Sequence, residues 1–560
     1  MPDLRTVAPA APGAGVPVAH PAGDGAADRA PRAGERAGRR GSPLLAAAIL
    51  LAVLAGVYVA GGLIDGPLGP GIAMVGLGIG GALVLYALNR PVLAVGVLLV
   101  TAFLRPALKG LPLPVEAMFV AMAIVVLAGA LAVTRRVSRA PSLGPVEAAM
   151  GLFVLWSIAS AIAPHPYEAG GAQSIDDTYS VYHFIAAGTL MPFVVYVVGR
   201  FVIDRPAAVR RVLWVVLGCW AYSIWVSVAQ FHLPALVWPR YILEIPASNS
   251  WSNRAVGVFS QPVANGVLLV LGFVLALFLA RQVGTPRWQR IALRILAVVS
   301  LYAIYLTYTR VVWLIFLLAV VLGALFLPRD RRVYLGVLGV VMVGALANLS
   351  TLLSSDRTAG GVTSSYEIQD RLNMIATALW AIGEKPFAGW GIGTFAEVNT
   401  YHHQQWSPDV PWIRGYGIVS HFNELGIAAE LGLVGLALWV GVVVLLARAL
   451  RDAVRTLRDE DGLLGGEFAV IVAIAATMWL VTGFTADLRF LEFGSILVLL
   501  LVGTVVGAAE RRRLRAPARS TARLRRAGPL PPGPSAAVPA PAGPSPRPSR
   551  PEPAGYGPRP

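Results

Sequence analysis

Cysteine and lysine are almost absent from this chain. Its 560 residues include a single cysteine, Cys219, and two lysines. One cysteine excludes any intrachain disulfide framework. Charged residues make up only 14% of the sequence, whereas soluble domains carry about 25%, and hydrophobic residues make up 56%. The composition therefore argues against an ordinary soluble domain and indicates an integral membrane protein.

Long apolar runs occupy most of the chain. Runs of about 18 residues or more can span a bilayer as helices, and roughly fourteen are found. They lie near 43–63, 69–89, 91–105, 114–134, 145–163, 184–203, 211–231, 256–280, 290–309, 311–328, 333–353, 421–447, 466–485 and 490–509. The run at 91–105 is short and the pair at 290–328 can be divided differently. We therefore predict an all-α, polytopic transmembrane helical bundle of about 12–14 spans.

Arginine clusters predict the orientation of the bundle. Under the fourteen-span interpretation they all fall on one side, which the positive-inside rule identifies as the cytoplasm, together with both termini. Arg105 and Lys109 are exceptions that fall outside. The net charge of +16 is thus explained by topology, and no nucleic-acid partner is expected. The clusters lie at 32–40, 135–139, 205–211, 281–290, 329–332, 448–461 and 510–515.

The two ends of the chain differ from its middle. Residues 1–42 and 511–560 are rich in Pro, Ala, Gly and Arg, so both are predicted to be disordered cytoplasmic tails. The first lacks the early apolar core of a cleavable signal peptide. Residues 43–510 form the predicted transmembrane domain. The protein is expected to be a multi-pass component of the cytoplasmic (inner) membrane.

The largest outward-facing loop is predicted at about 354–420. Within it, residues 371–387 have apolar side chains at helical spacing, which predicts an amphipathic helix. A glycine-punctuated turn follows at 388–395. The rest of the loop is rich in aromatic residues and leads into His421. Loops of this length beside a compact bundle are usually functional or disordered, and the aromatic content favours function.

Three arginines and a histidine lie on the predicted outer side. They are Arg254, Arg310, Arg371 and His421. Snorkelling, or pairing with a carboxylate, explains any one outward arginine, but three of them on the same side, together with a histidine at a helix start, indicate a site for an anionic ligand. Guanidinium groups match phosphate oxygens and stay charged, and histidine titrates near working pH. The set is suited to glycosyl transfer from a phosphate-bearing lipid, with arginine stabilising the leaving pyrophosphate and histidine activating a hydroxyl.

Two segments carry a resemblance to a known family. "RLNMIATALWAIGEKPFAGWGIGTF", followed after a loop by "SHFNELGIAAELGLVG", resembles the signature of the O-antigen ligase and O-antigen polymerase superfamily. The family's pattern of His, then Leu, Glu and Gly at fixed spacing, corresponds here to His421, Leu425, Glu430 and Gly432. "RAVGVFSQPVANGVLL" and "LTYTRVVWL" are similar to two further family regions and place Arg254 and Arg310 on the family's arginines. The resemblance covers roughly 250–440.

The sequence departs from the family pattern at two places. Phe422 stands where the family usually has the Asn that follows its His, and Asn423 comes one position later. The family's Pro-Asn pair reads Pro262-Val263 here, with Asn265 two residues further on. These shifts affect the roles of the asparagines and leave the histidine and the arginines in place.

The resemblance implies a GT-C-like, metal-independent and inverting enzyme with no cofactor. It would transfer a glycan from an undecaprenyl-pyrophosphate carrier to an acceptor hydroxyl at the outer face. In that scheme His421 is the general base, and Arg254, Arg310 and Arg371 bind the pyrophosphate, while Glu430 and Asn423 support the site. A simple interfacial residue capping its helix is the alternative for His421. The acceptor is a glycan, lipid or protein, and the motifs do not separate ligase from polymerase.

Other polar and aromatic groups have alternative explanations. Asp176 and Asp177 form a carboxylate pair that is either solvated or a rival metal site. His402 and His403 could bind a metal, but adjacent histidines rarely point the same way. Aromatic side chains of the loop either stack on sugar rings or anchor the loop at the membrane interface. These are Trp390, Tyr401, Trp406, Trp412 and Tyr416.

A transporter or flippase of lipid-linked glycans is the competing class of function. It also needs cationic residues in a cavity and about a dozen spans, but it should place them along a path through the membrane between pseudo-symmetric halves. Here the cationic residues gather on one predicted side and one large loop breaks the symmetry. The sequence therefore favours the enzyme.

Overall fold

The computed structural model describes most of the chain after residue 83. The predicted spans at 43–63 and most of 69–89, and the predicted tail at 1–42, lie outside the described residues. So does the second predicted tail after Arg526, apart from one residue. The described residues are 84–108, 115–136, 142–167, 173–174, 177–178, 180–248, 251, 253–354, 366–406, 408–409, 416–526 and 543.

Helices form almost all of the regular structure in the described part. The first half contains α1 (Pro91–Phe103), α2 (Arg105–Leu108), α3 (Ala117–Arg136), α4 (Pro145–Ile162), the paired two-residue strands β1 (Gln173–Ser174) and β2 (Asp177–Thr178), α5 (Val181–Ile185), a π-helical turn at Ala186–Leu190, α6 (Met191–Val202), α7 (Pro206–His232) and α8 (Tyr241–Ser248). Single 3₁₀ turns lie at Pro234–Leu236 and Gly257–Phe259.

The second half continues the same architecture. It contains α9 (Pro262–Arg281), α10 (Arg287–Tyr305), α11 (Arg310–Phe326), α12 (Arg331–Ala347), α13 (Leu349–Leu352), α14 (Tyr366–Glu384), α15 (Phe395–Tyr401), α16 (Asn423–Leu457), α17 (Gly466–Gly483), a 3₁₀ turn at Leu488–Phe490, and α18 (Glu492–Arg526).

Nine helices in the described residues are long and apolar enough to cross a membrane. Two shorter apolar helices, α1 and α11, accompany them. The predicted fold class, an all-α polytopic membrane protein, is therefore confirmed. The nine candidate spans are Ala117–Arg135, Pro145–Ile162, Val181–Val202, Pro206–His232, Pro262–Arg281, Arg287–Tyr305, Asn423–Leu457, Gly466–Gly483 and Glu492–Arg515.

The most buried spans, α9 and α18, form the centre of the packing. Helix α18 packs closely against α6 because glycines remove side chains from the contact. A Cβ on Gly503 would lie 2.0 Å from the carbonyl oxygen of Tyr196, and one on Gly507 would lie 2.0 Å from that of Arg200. Small residues four apart permit such a close approach of helix backbones. The two helices can therefore pack backbone against backbone.

Three predicted boundaries change in the structure. The run 256–280 becomes helical only at Pro262, because Gly257 and Ser260 adopt positive φ angles of 59° and 54° in the preceding loop. The run 333–353 is divided at Asn348, which separates α12 from α13. Helix α18 continues to Arg526, past the predicted boundary at 510.

Candidate functional site

The four predicted site residues come from four separate segments. Arg254 lies in the loop before α9, Arg310 is the first residue of α11, Arg371 lies in the first turns of α14, and His421 precedes α16. The positive charge of Arg310 lowers the pKa of both Arg254 and Arg371, in each case after the larger effect of burial. Arg371 in turn acts on His421. Folding therefore brings the predicted set together.

Hydrogen bonds to the backbone fix the position of Arg254. The amide of Gln230 donates to the carbonyl oxygen of Arg254 at 2.7 Å and accepts from Val256 N at 3.3 Å. Ala255 N donates to the carbonyl oxygen of Leu306 at 2.9 Å, which joins this loop to the corner just before Arg310. The two arginine loops are thus held to each other through their backbones.

Asn265, which lies two residues after Val263, supports the loop that carries Arg254. Its side chain is fully buried. Its Nδ2 donates to the carbonyl oxygen of Ala255 at 3.1 Å and to Ser227 Oγ at 2.9 Å, and its Oδ1 accepts from Ser223 Oγ at 2.7 Å. Asn265 therefore has all its hydrogen bonds inside the protein and acts on the site by positioning backbone.

Backbone strain is concentrated in the same two loops. Within the described residues, the non-glycine residues with positive φ are Asn253 at 59°, Ser260 at 54° and Tyr308 at 43°. Asn253 directly precedes Arg254, and Tyr308 lies two residues before Arg310. Such conformations cost about 1–3 kcal/mol each and persist only where the surroundings impose them. The strain indicates that the fold holds both arginines in defined positions.

The ring of His421 is held in one tautomer by its neighbours. Its Nδ1 lies 3.2 Å from the carbonyl oxygen of Val419. Because a carbonyl oxygen only accepts, Nδ1 must carry the hydrogen, which leaves the lone pair on Nε2. Burial, and next the charge of Arg371, lower the pKa of His421 below its usual value. The ring is therefore neutral at neutral pH, with Nε2 able to accept a proton.

The turn that carries His421 is itself well ordered. Ser420 Oγ donates to the carbonyl oxygen of Phe422 at 2.8 Å, Gly417 N donates to Thr400 Oγ1 at 2.8 Å, and Asn399 Nδ2 donates to the carbonyl oxygen of Ile418 at 3.3 Å. Residues of α15 thus hold the segment before His421 from one side.

Glu430 and Asn423, the predicted supporting residues, are buried and structural. Glu430 Oε1 accepts from Phe395 N at 3.2 Å, the first amide of α15, and Oε2 accepts from Arg489 Nη1 at 2.6 Å. Asn423 Oδ1 accepts from Leu488 N at 3.1 Å. Glu430 therefore joins α15 to α16, and Asn423 joins the start of α16 to the Leu488–Phe490 turn. Both position the helix that follows His421.

A backbone break in α16 receives the glycine-punctuated turn. Gly432 has φ 68° and ψ −176° inside the helix, so the carbonyl groups before it are released from helical bonding. Trp390 N donates to Ala429 O at 3.0 Å, Gly391 N to Glu430 O at 2.9 Å, and Leu433 N to Pro386 O at 2.7 Å. The predicted straight span 421–447 is thus bent at Gly432, and the bend holds the loop onto the bundle.

Arg489 was missed by the sequence analysis. It is 4% exposed and pairs with Glu430 and with Asp487, whose Oδ2 accepts from Arg489 Nη2 at 2.5 Å. Burial opposes the charge, but Asp487 and Glu430 outweigh it and raise the pKa of Arg489. A glutamate inside a span indicates a polar partner, but nothing in the sequence identified an arginine 59 positions away.

Asp370 and Glu397 are two further acids near the site. The carboxylate of Asp370 acts on Arg371, His403 and His421, and its place directly before Arg371 is the only sequence signal for it. Burial, and to a smaller extent the Glu430 carboxylate, raise the pKa of Glu397 to about 7, although its own backbone amide opposes the shift. Asp370 therefore moderates the positive charge around His421.

Arg105, an exception to the positive-inside pattern, is explained by pairing. Its Nε donates to Glu116 Oε2 at 2.8 Å, it forms a second ion pair with Glu492, and its Nη2 lies 2.6 Å from His183 Nε2. Arginine has no acceptor, so His183 Nε2 accepts this hydrogen bond. This cluster joins the starts of α3, α5 and α18 and leaves the charge of Arg105 matched by carboxylates.

Of the two alternative metal sites, the structure describes the adjacent histidines but not the whole carboxylate pair. Asp176 and Trp412 lie outside the described residues. His402 stacks on Trp380 with ring centroids 4.7 Å apart, while His403 Nδ1 lies 2.9 Å from Asn399 Oδ1. Over the described ranges, no group of three or more His, Cys, Asp or Glu side chains is arranged to hold a metal ion. The two adjacent histidines therefore have different neighbours.

The loop aromatics divide into buried and exposed members. Trp390 is 7% exposed, and its Nε1 donates to the carbonyl oxygen of Ala381 at 2.9 Å, so it anchors the loop. Tyr401 stacks on Tyr167 at 5.2 Å but is itself exposed. Trp406 and Tyr416 are exposed as well. Trp390 thus anchors the loop within the protein, whereas Tyr401, Trp406 and Tyr416 are exposed at its surface.

Comparison with known proteins gives one match. Residues 295–440 match a family described as O-antigen ligase. No curated protein matches the chain. The matched segment contains Arg310, Arg371, His421, Asn423 and Glu430, whereas Arg254 precedes it.

Proposed function

We propose that this chain is a membrane glycosyltransferase acting on lipid-linked glycans, a proposal supported by the match of residues 295–440 to a family described as O-antigen ligase. The donor is a glycan on an undecaprenyl-pyrophosphate carrier, and the acceptor is a hydroxyl group on a glycan, lipid or protein at the extracytoplasmic face. The observation that carries this proposal is a series of three partly buried arginines, Arg310 acting on Arg254 and on Arg371, and Arg371 acting on His421, whose Nε2 lone pair is available.

The proposed reaction forms one bond and breaks one. The acceptor oxygen attacks the anomeric carbon while the bond from that carbon to the pyrophosphate oxygen breaks. The acceptor's proton passes to His421 Nε2, and attack opposite the leaving group inverts the anomeric centre. His421 thus acts as general base, a role that contributes about 10²–10⁴-fold in rate.

The arginines stabilise the leaving group. Negative charge develops on the pyrophosphate as its bond to the sugar breaks, and positioned guanidinium groups stabilise that charge. Arg310 acts electrostatically on both Arg254 and Arg371, which supports a shared role of the three arginines in binding one pyrophosphate. Since the arginines supply the positive charge that a divalent ion supplies in other transferases, we propose a metal-independent mechanism.

Release of the lipid pyrophosphate tests this proposal. Purified protein in nanodiscs would receive a polyprenyl-pyrophosphate oligosaccharide and a panel of acceptors in the presence of EDTA. We expect release by wild type that is lost in His421→Gln and Arg310→Gln and kept in His232→Gln, an exposed histidine outside the cluster. Product length then separates ligase from polymerase.

Two results would contradict the proposal. Release that stops on adding EDTA would exclude the metal-independent mechanism, and release that continues without His421 would exclude the general base. Movement of labelled glycan across the bilayer, with no acceptor-dependent release, would favour the competing transporter or flippase.

A further inference from the structure

A cleft lies at the opposite end of α16 from His421. Its volume is about 430 Å³, and it opens between α16, α17 and α18. This volume falls in the range of roughly 300–1,000 Å³ that is typical of small-molecule sites. The site is remote from the cluster proposed for catalysis, and its argument does not depend on the proposed function.

The walls of the cleft are apolar. Leu446 and Leu450 form one wall, Ala473 and Ala476 of α17 create the space, and Val502 of α18 contributes the third side. The hydroxyl of Thr477 also faces the cleft but already donates to the carbonyl oxygen of Ala473 at 2.9 Å. An apolar chain suits a surface of this kind better than water does, because bound water needs polar partners.

The cleft has a closed end. Trp479 lines it and donates through Nε1 to Ser495 Oγ at 2.9 Å. Beyond Trp479 lies a void of only about 10 Å³ beside Arg489. The cleft therefore fits one chain of limited length and does not continue toward the buried ion pairs.

Two arginines stand at the other end. Arg451 and Arg455 line the cleft, and within the part of the chain that the structure describes neither forms a hydrogen bond or ion pair. Nearby arginines of α18 do have partners: Arg512 pairs with Glu460, and Arg513 donates to Thr456 Oγ1 at 3.0 Å. Like charges four residues apart on a helix repel each other. A bound anion would relieve this repulsion.

From these two features together, an apolar cleft and a pair of unpaired guanidinium groups at its mouth, we infer a site for an anionic phospholipid. One acyl chain occupies the cleft, and the phosphate lies between Arg451 and Arg455. Basic pockets between transmembrane helices bind anionic headgroups in this way. A diacyl lipid fits better than a polyprenyl phosphate, because Trp479 closes the cleft to a longer chain.

Lipid binding to the purified full-length protein tests the inference. Retention of phosphatidylglycerol and phosphatidylcholine would be compared by native mass spectrometry, with inorganic phosphate and a polyprenyl phosphate as competitors. We expect roughly thirtyfold preference for phosphatidylglycerol from two surface charge contacts. The preference should disappear in the double variant Arg451→Gln/Arg455→Gln and remain in the matched double variant Arg448→Gln/Arg458→Gln, whose arginines do not line the cleft.

A cleft-filling variant, Ala476→Phe, separates the apolar contribution from the charge. It should reduce binding of phosphatidylglycerol while both arginines remain. Equal retention of the two lipids, or equal loss in both double variants, would overturn the inference. So would competition by inorganic phosphate alone, or stronger binding of the polyprenyl phosphate.

Discussion

Arg371 acts on the protonation state of His421. Burial is the larger cause of the lowered pKa of His421, and the positive charge of Arg371 is the next. A general base works only when neutral. Because the pKa lies below the ordinary value of about 6.5, activity should persist as the pH falls through that value and be lost only at lower pH.

Arg371→Gln should shift this acidic limb to higher pH, because removing a positive charge makes protonation of His421 easier. The measurement is kcat/KM for lipid-pyrophosphate release as a function of pH. The control, Arg448→Gln, removes an exposed charge at the far end of α16 and should leave the limb in place. If the acidic limb of the pH profile stays in place in Arg371→Gln, or moves to lower pH, this result would contradict the proposed contact.

Removing the charge of Arg489 is expected to lower the free energy of unfolding strongly. Replacing it with Met leaves Glu430 and Asp487 buried without their partner, which costs about 3–5 kcal/mol of stability. Denaturant unfolding of the purified protein measures the loss. Arg329→Met is the matched control, since Arg329 pairs with Asp461 on the surface and such pairs contribute about 0–1 kcal/mol.

A triple variant separates charge from packing at Arg489. Adding Glu430→Gln and Asp487→Asn to Arg489→Met removes the two buried charges and should recover part of the lost stability. If the triple variant is no more stable than Arg489→Met, uncompensated charge is not the cause of the loss.

At the scale of elements, the bend in α16 depends on one glycine. A Cβ on Gly432 would lie 2.0 Å from the carbonyl oxygen of Phe387, and its φ of +68° disfavours other residues. Gly432→Ala should therefore destabilise the protein by about 1–3 kcal/mol and displace the turn at 388–395. Loss of activity should accompany it, because the same contacts position the start of α16.

Gly441 provides a control on the same helix. A Cβ there meets no atom within 4 Å, so Gly441→Ala should stabilise the helix by about 0.5–1 kcal/mol. Unfolding of both variants under identical conditions gives the comparison. Equal effects of the two substitutions would show that the bend does not depend on Gly432.

Hydrophobic runs predicted the helices well but not their interruptions. A run of apolar residues reports the free energy of transfer into lipid, and this quantity does not change when the backbone bends. The start of α9 at Pro262, the division at Asn348 and the bend at Gly432 were therefore missed. They depend on local φ angles and on hydrogen bonds to distant segments, such as Leu433 N to Pro386 O.

The sequence likewise indicated some residues of the candidate site and not others. His421 and the three arginines could be selected as candidates because each is costly at its position and the family motifs mark them. Arg489 and Asn265 could not be assigned roles, because their partners become neighbours only through tertiary packing. An arginine after a predicted span resembles any other interfacial arginine until Glu430 lies beside it.

For the molecule as a whole, the proposed membrane orientation places His421 and Arg455 on opposite sides of the membrane. Cysteine labelling tests this sidedness. The only native cysteine, Cys219, is buried within α7 and can be replaced by Ser to give an unreactive background. Tyr416→Cys and Arg458→Cys then place one thiol at an exposed position near each end of α16.

A membrane-impermeant maleimide applied to intact cells should label Tyr416→Cys at once and Arg458→Cys only after permeabilisation. Both variants must label fully in detergent, which controls for accessibility. The reverse order of labelling would place the proposed site in the cytoplasm and contradict an extracytoplasmic reaction.

Binding and turnover of the donor, measured side by side on each variant, separate the general base from the residues that bind pyrophosphate. The affinity of a fluorescent polyprenyl-pyrophosphate oligosaccharide and its kcat would be determined for His421→Gln, Arg310→Gln and Arg240→Gln, the last an exposed loop arginine outside the cluster. We predict that His421→Gln binds like wild type but loses about 10²–10⁴-fold in kcat. Arg310→Gln should bind roughly 10- to 100-fold more weakly, and Arg240→Gln should be unchanged. Full turnover without His421, or unchanged donor affinity without Arg310, would contradict the account.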